Sequence, residues 1–239
     1  MPPCASPSYD VMGALEAVRA RIERAGGDPD QLSLVAVTKG FGPPAVVAAV
    51  AAGLGDVGEN YATELIAKRD ALAMEPLPAS WGAGPRWHYL GAVQRNKVAA
   101  LAPVVSCWQG VARAVEGEAI ARRRPGARVL VQVDTTGAPT RNGCAPRGVA
   151  ELVERLKGIG LDVAGLMTVA PTDPEGARAA FRTVRTLADS LHLPERSMGM
   201  SDDLELAVAE GSTLLRLGRA LFGPRPPRQV AARDTTAGP

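Results

Sequence analysis

The chain has 239 residues, 46% of them apolar and 22% charged, with a formal net charge of +2. Such a mixture supplies a large core, and a charge so near balance gives no sign of a nucleic-acid binder. Cys4, Cys107 and Cys144 are odd in number and lack metal-type spacing, which speaks against a zinc site or a disulfide framework.

The opening MPPCASPSYD has neither the basic start nor the apolar stretch of a secretory signal, so residues 1–9 are expected to be flexible and the protein cytoplasmic. Val11, Leu15, Val18 and Ile22 recur at helical spacing and predict a first helix, ended by Gly26-Gly27 and Pro29. Leu32 to Lys39 is short, apolar and β-branched, as a strand buried on both faces should be. The alternation then repeats. Helices are expected over 44–53, 61–72, from about Gln94, and over 111–122, 146–158, 174–191 and 202–210. Strands are expected over 56–60, 86–91, 104–109, 128–134, 162–169, 196–200 and 213–217, with a loop rich in proline and glycine from Pro76 to Pro85. A proline-rich tail, 224–239, is expected to be flexible.

Strands that alternate with helices call for a parallel sheet, because each right-handed crossover lays a helix on the sheet. An open doubly wound sheet usually carries a GxGxxG turn after its first strand, and TKGFGPP stands there instead. The expected architecture is an α/β fold, a (β/α)8 TIM-type barrel over 10–223 with an extra N-terminal helix. In such a barrel the chemistry sits where strands end.

Only four lysines compete for a reactive role. Lys68 and Lys157 lie in amphipathic helices flanked by other charges and are expected at the surface. Lys97 follows the third strand, with a ligand contact and a helix-surface role both open. Lys39 ends an apolar strand, where desolvation would lower its pKa and favour a reactive neutral amine; the other reading is a strand-end lysine reaching bulk water. Near the other end of the chain, Gly199-Met200-Ser201-Asp202-Asp203 and Leu217-Gly218-Arg219 follow the seventh and eighth strands, where barrels often hold phosphate. Ser201 can offer its hydroxyl to such a group or simply cap the next helix. Arg216, in the otherwise apolar TLLRLG, needs a partner, either Glu59 or a ligand ring. Asn60 offers a donor and an acceptor at the end of the second strand. His88 is read as a satisfied structural histidine, with an acid-base role as the alternative.

Val35 to Lys39, Gly58-Glu59-Asn60-Tyr61, His88 to Lys97, Gly199 to Asp203 and Gly211 to Gly218 together resemble the pyridoxal phosphate homeostasis protein family, single-domain relatives of the alanine racemase N-terminal barrel. The resemblance spans about Asp10 to Gly223. It implies that pyridoxal 5′-phosphate forms a Schiff base with Lys39, and that Ser201 and the Gly218 and Arg219 amides hold its phosphate. It also implies that Arg216 meets the pyridine nitrogen, that Asn60 lies near the ring, and that Met200 belongs to the same cofactor-binding set. Two positions depart from the family: Arg219 replaces a small hydroxyl residue, and Arg141 stands where lysine is common. The implied role is intracellular homeostasis of the cofactor, as a carrier or buffer without strong catalytic turnover; PLP-dependent apo-enzymes are the partners to consider, and a mostly polar exterior favours a monomer. An arginine beside the ring nitrogen disfavours its protonation and weakens an electron sink. No room is expected for the second domain that completes alanine racemase. The alternatives are a racemase-like enzyme, a Schiff-base lyase and a purely structural barrel.

Overall fold

Eight short strands carry the apolar runs in the computed structural model, which describes residues 9–74, 84–138 and 141–225. They are β1 (Ser33–Val37), β2 (Asp56–Glu59), β3 (Arg86–Tyr89), β4 (Val105–Val111), β5 (Arg128–Val133), β6 (Asp162–Thr168), β7 (Glu195–Ser197) and β8 (Leu214–Leu217). All pair in parallel and in chain order, and β8 returns to β1 from Ser33↔Leu214 to Ala36↔Leu217, closing the cylinder. Helix α1 (Val11–Arg24) precedes the barrel; α2 (Pro43–Ala51), α3 (Ala62–Ala73), α4 (Arg95–Leu101), α5 (Ala114–Arg123), α6 (Val149–Gly158), α7 (Pro174–Ser190) and α8 (Leu204–Ala209) alternate with the strands. The expected barrel with its additional helix is therefore the observed fold. Among the described residues no helix is long and apolar enough to cross a membrane.

Burial on both faces explains the strand sequences. In β6 every residue from Val163 to Thr168 is buried, between the lumen on one side and helices on the other. Helix α7 buries Ala177, Ala180, Phe181, Val184 and Ala188 on one stripe, while Asp173 accepts from the Gly176 amide at 2.6 Å to start it. A fully buried side chain such as Phe181 contributes about 1.5–3 kcal/mol.

The core has two parts. The larger lies between strands and helices; a smaller cluster, Cys107, Leu130, Ala164 and Met167, is separate from it. Cys107 shares one face of β4 with Gln109 by strand alternation, and Gln109 bonds to residues of β3 and β7, which places both in the lumen.

Departures from the expected boundaries concern the mouth. Strand β1 ends at Val37, so Lys39 lies in the turn beyond it. Strand β7 stops at Ser197 because Gly199, at φ +96°, bends the chain away; it meets β8 through the single pair Ser197↔Leu214. A short helix, α9 (Arg219–Phe222), follows β8 without having been expected. The ends anticipated as flexible fall mostly outside the described residues. Within them, Tyr9 packs edge-on against Phe41 and Phe222, with ring centroids 6.0 and 5.6 Å away. The loop from Pro76 to Pro85 is outside the described residues up to residue 83.

Candidate functional site

A cavity of about 300 Å³ opens at the C-terminal end of the strands, within the range of small-molecule sites. Lys39, Asn60, Met200, Ser201, Arg216, Gly218 and Arg219 all line it, so the barrel gathers every anticipated site residue. Val37, Leu90, Met167 and Val169 supply apolar wall. Gly91 permits the closure of this wall, since a Cβ there would lie 2.1 Å from the Asn60 carbonyl oxygen.

Lys39 is half-buried. Burial first, then the positive charges of Arg225 and Arg216, push its amine below the usual lysine range, against the opposing pull of Glu59 and Glu64. It has no ion-pair or hydrogen-bond partner among the described residues. Its turn is nonetheless fixed: the Gly40 amide donates to Glu64 Oε2 at 2.9 Å, and Phe41 joins the aromatic cluster that also holds α9.

Arg216 is almost wholly buried, and that burial lowers its pKa to about 10. Its Nη1 donates to the carbonyl and hydroxyl oxygens of Ser197, both at 2.7 Å, and Nη2 to the Thr168 carbonyl at 2.6 Å. A guanidinium has five N–H donors, so two remain for a ligand. No carboxylate pairs with it among the described residues.

The anticipated Arg216–Glu59 pairing is absent because Glu59 is already engaged. Its Oε1 accepts from Thr38 Oγ1 at 2.6 Å and from Lys68 Nζ, which also donates to the Thr38 carbonyl at 2.7 Å. Lys68 is therefore buried rather than at the surface. The missed signal is its spacing, three residues after Leu65 and four before Leu72, on the apolar stripe of α3. Glu59 Oε2 has no partner among the described residues, and burial raises the Glu59 pKa against the influence of Lys68.

Ser201 departs from its expected capping role in the same instructive way. Helix α8 starts beyond it, with Asp203 at the N-cap, and Ser201 Oγ instead accepts from the Ala220 amide of α9 at 3.0 Å. The hydroxyl is thus set at the start of α9, where the Leu221 and Phe222 amides already donate to the Gly218 carbonyl at 3.0 Å. The Arg219 side chain turns to Asp202 at the rim. Arg225, in the tail expected to be flexible, also lines the cavity.

Other candidates lie elsewhere. Lys97 does not line the mouth cavity. Lys157 is at the surface beside Glu154. Arg141 donates to the Val169 carbonyl at 2.6 Å and borders a smaller cavity of about 180 Å³. His88 is a satisfied buried histidine, between Asp56 Oδ1 at 3.1 Å and Gln109 Nε2 at 2.7 Å.

The profile of the family described as "Alanine racemase, N-terminal domain" matches residues 14–226. A pyridoxal phosphate homeostasis protein of Pseudomonas aeruginosa is 38% identical over 217 residues, covering 87% of this chain and 91% of that protein. The chain belongs to the pyridoxal phosphate homeostasis protein family. Another member, from Aquifex aeolicus, is 34% identical over 88% of this chain and 95% of its own length. The solved structure of PipY from Synechococcus elongatus with pyridoxal phosphate bound is similar at a TM-score of 0.76 and 29% identity, covering 90% of this chain and 100% of that one.

Proposed function

We propose that this protein binds pyridoxal 5′-phosphate in the mouth cavity and serves cofactor homeostasis by holding and releasing it through a Schiff-base linkage to Lys39. One observation carries the reading: an amine half-buried and without a partner among the described residues, and a buried guanidinium with spare donors, share a cavity with Ser201 and the Gly218–Arg219 backbone. These groups fit the molecule. An amine suits its aldehyde, a donor suits its ring nitrogen, and a hydroxyl beside helix-terminal amides suits its phosphate.

When bound, pyridoxal phosphate supplies an electrophilic aldehyde on an electron-withdrawing ring. Lys39 contributes the amine, kept more often neutral by desolvation and by Arg225 and Arg216. Arg216 can only donate, so it meets an unprotonated ring nitrogen and leaves the ring a weak electron sink. Ser201 and the Gly218–Arg219 backbone hold the anionic end, with Arg219 and Arg225 adding positive charge at the rim. Asn60 and Met200 would border the ring, against the apolar wall of Leu90 and Met167. A weak sink suits storage better than carbanion chemistry, and apo-enzymes that need the cofactor are the recipients in this reading.

The test is spectroscopic. Purified protein mixed with pyridoxal phosphate is expected to gain a visible absorption band, borohydride to fix the added mass on the peptide containing Lys39, and Lys39→Ala to abolish both. Racemisation of amino acids above blank rates would overturn the carrier reading in favour of a racemase-like enzyme. Protein that stays colourless would overturn the cofactor assignment.

A further inference from the structure

The lumen beneath Arg216 holds a continuous series of polar side chains. Arg216 Nη1 donates to Ser197 Oγ at 2.7 Å; Ser197 Oγ donates to Gln109 Oε1 at 2.7 Å; Gln109 Nε2 meets His88 Nδ1 at 2.7 Å; His88 Nε2 meets Asp56 Oδ1 at 3.1 Å. Asp56 in turn accepts from Arg86. The series starts on β8, crosses from β7 to β4, and ends at the first residues of β2 and β3, so it runs from the mouth to the opposite end of the barrel.

Its two ends fix its direction. A guanidinium cannot accept, so Ser197 Oγ must receive from Arg216 and pass its own proton to Gln109. The Gln109 carbonyl oxygen therefore faces Ser197, and its NH₂ faces His88. Nδ1 of His88 must then accept, which puts the ring proton on Nε2, pointing at a carboxylate that can only accept when ionised. The acceptor-only end agrees with the donor-only end. Burial alone would raise the Asp56 carboxyl, but hydrogen bonds from His88 and Arg86 outweigh it and hold its pKa at about 2.

We propose that Ser197, Gln109 and His88 are positioning residues, a one-way donor chain that fixes the aim of Arg216 toward the ring end of the ligand. The effect on the ligand rests on the reading that Arg216 faces the ring nitrogen; the chain itself is testable without cofactor. Reversing any link would leave two donors or two acceptors face to face in a dry lumen, so the chain holds Arg216 in one arrangement.

The experiment uses the bare protein first. The sequence has two histidines, and His192, at φ +52°, tolerates asparagine, so His192→Asn leaves one imidazole to observe. Long-range ¹H–¹⁵N correlation is expected to show His88 protonated at Nε2 alone. Because Asp56 still demands a proton on Nε2, Ser197→Ala and Gln109→Leu are expected to keep that tautomer but to shift the Nδ1 ¹⁵N resonance toward that of an unbonded acceptor nitrogen; Ser197→Thr, which keeps the hydroxyl, is expected to leave the resonance in place. With pyridoxal phosphate added, the alanine and leucine variants are expected to bind about tenfold more weakly and to shift the absorption band, and the threonine variant to recover both.

Parent protein with Nδ1 protonated overturns the chain without needing any variant to fold. So does an Nδ1 resonance indifferent to both interruptions. An Nδ1 resonance that responds while affinity and band stay unchanged overturns the positioning role. Parent protein that shows the Nε2 form, responds to Ser197→Ala and takes up no pyridoxal phosphate overturns the cofactor reading instead.

Discussion

The two ends of the barrel treat charge in opposite ways. At the N-terminal end, the first residues of adjacent strands neutralise one another: Arg86 pairs with Asp56 at 2.6 Å, and Arg128 bridges Asp162 at 2.8 Å and Glu195 at 2.7 Å. At the mouth, Lys39, Arg216 and Arg225 have no carboxylate partner among the described residues, and Glu59, an acid whose charge reaches Lys39, is committed to Lys68. The floor spends its charges on closing the cylinder, while the mouth keeps cations in reserve for an anion. The mouth buries Glu59, Lys68 and Arg216, whereas Arg86 and Arg128 of the floor are exposed, so equal substitutions should have unequal effects.

The largest effect is expected beneath the mouth. Lys68→Met leaves Glu59 buried without its counter-ion and is expected to destabilise the fold by about 3–5 kcal/mol in urea unfolding, with much of the loss recovered by adding Glu59→Gln. Next comes the electrostatics of Lys39. Arg225→Gln removes a positive neighbour, so the Lys39 pKa should rise toward the ordinary value, and borohydride-trapped capture of pyridoxal phosphate should need a higher pH and slow several-fold at neutrality.

The floor should respond more gently. Asp56 has a folded pKa of about 2, below its unfolded value, so it contributes stability above the unfolded pKa that is lost as pH falls through the folded one. Asp56→Asn should therefore flatten the acid dependence of the urea midpoint between roughly pH 4 and pH 2, by no more than about 1 kcal/mol after solvent screening. Smallest of all, Arg128→Ala should alter stability by about 1 kcal/mol or less, and less still in high salt. A floor variant that cost as much as Lys68→Met would break the comparison.

Most of the architecture was legible because it is written in local patterns: short apolar runs, amphipathic stripes, and glycine or proline between them. Lys39 and Arg216 were legible because a cation ending an apolar strand needs an explanation. What stayed hidden depends on contacts between distant segments. Lys68 looked solvated because Arg69 and Asp70 follow it, although its stripe pointed inward. Ser201 looked like the cap of its own helix, and only the closed barrel brings it to α9. Gln109 and Ser197 are 88 residues apart, so no periodicity announces their bond across the lumen. Arg225 sat in a tail whose composition suggested nothing but mobility.

The join between β7 and β8 has a further consequence. With one registered strand pair and three backbone bonds between the two segments, that seam is reinforced by side chains: Arg216 reaches the Ser197 carbonyl, Ser212 Oγ reaches the Met198 carbonyl at 2.7 Å, and the Arg196 amide reaches Thr213 Oγ1 at 2.8 Å. A cylinder built this way has a latch, and the latch sits directly under the loops proposed to grip phosphate. In the proposed storage role, transient parting there would loosen the grip without unfolding the remaining staves and give the cargo a local route by which to leave.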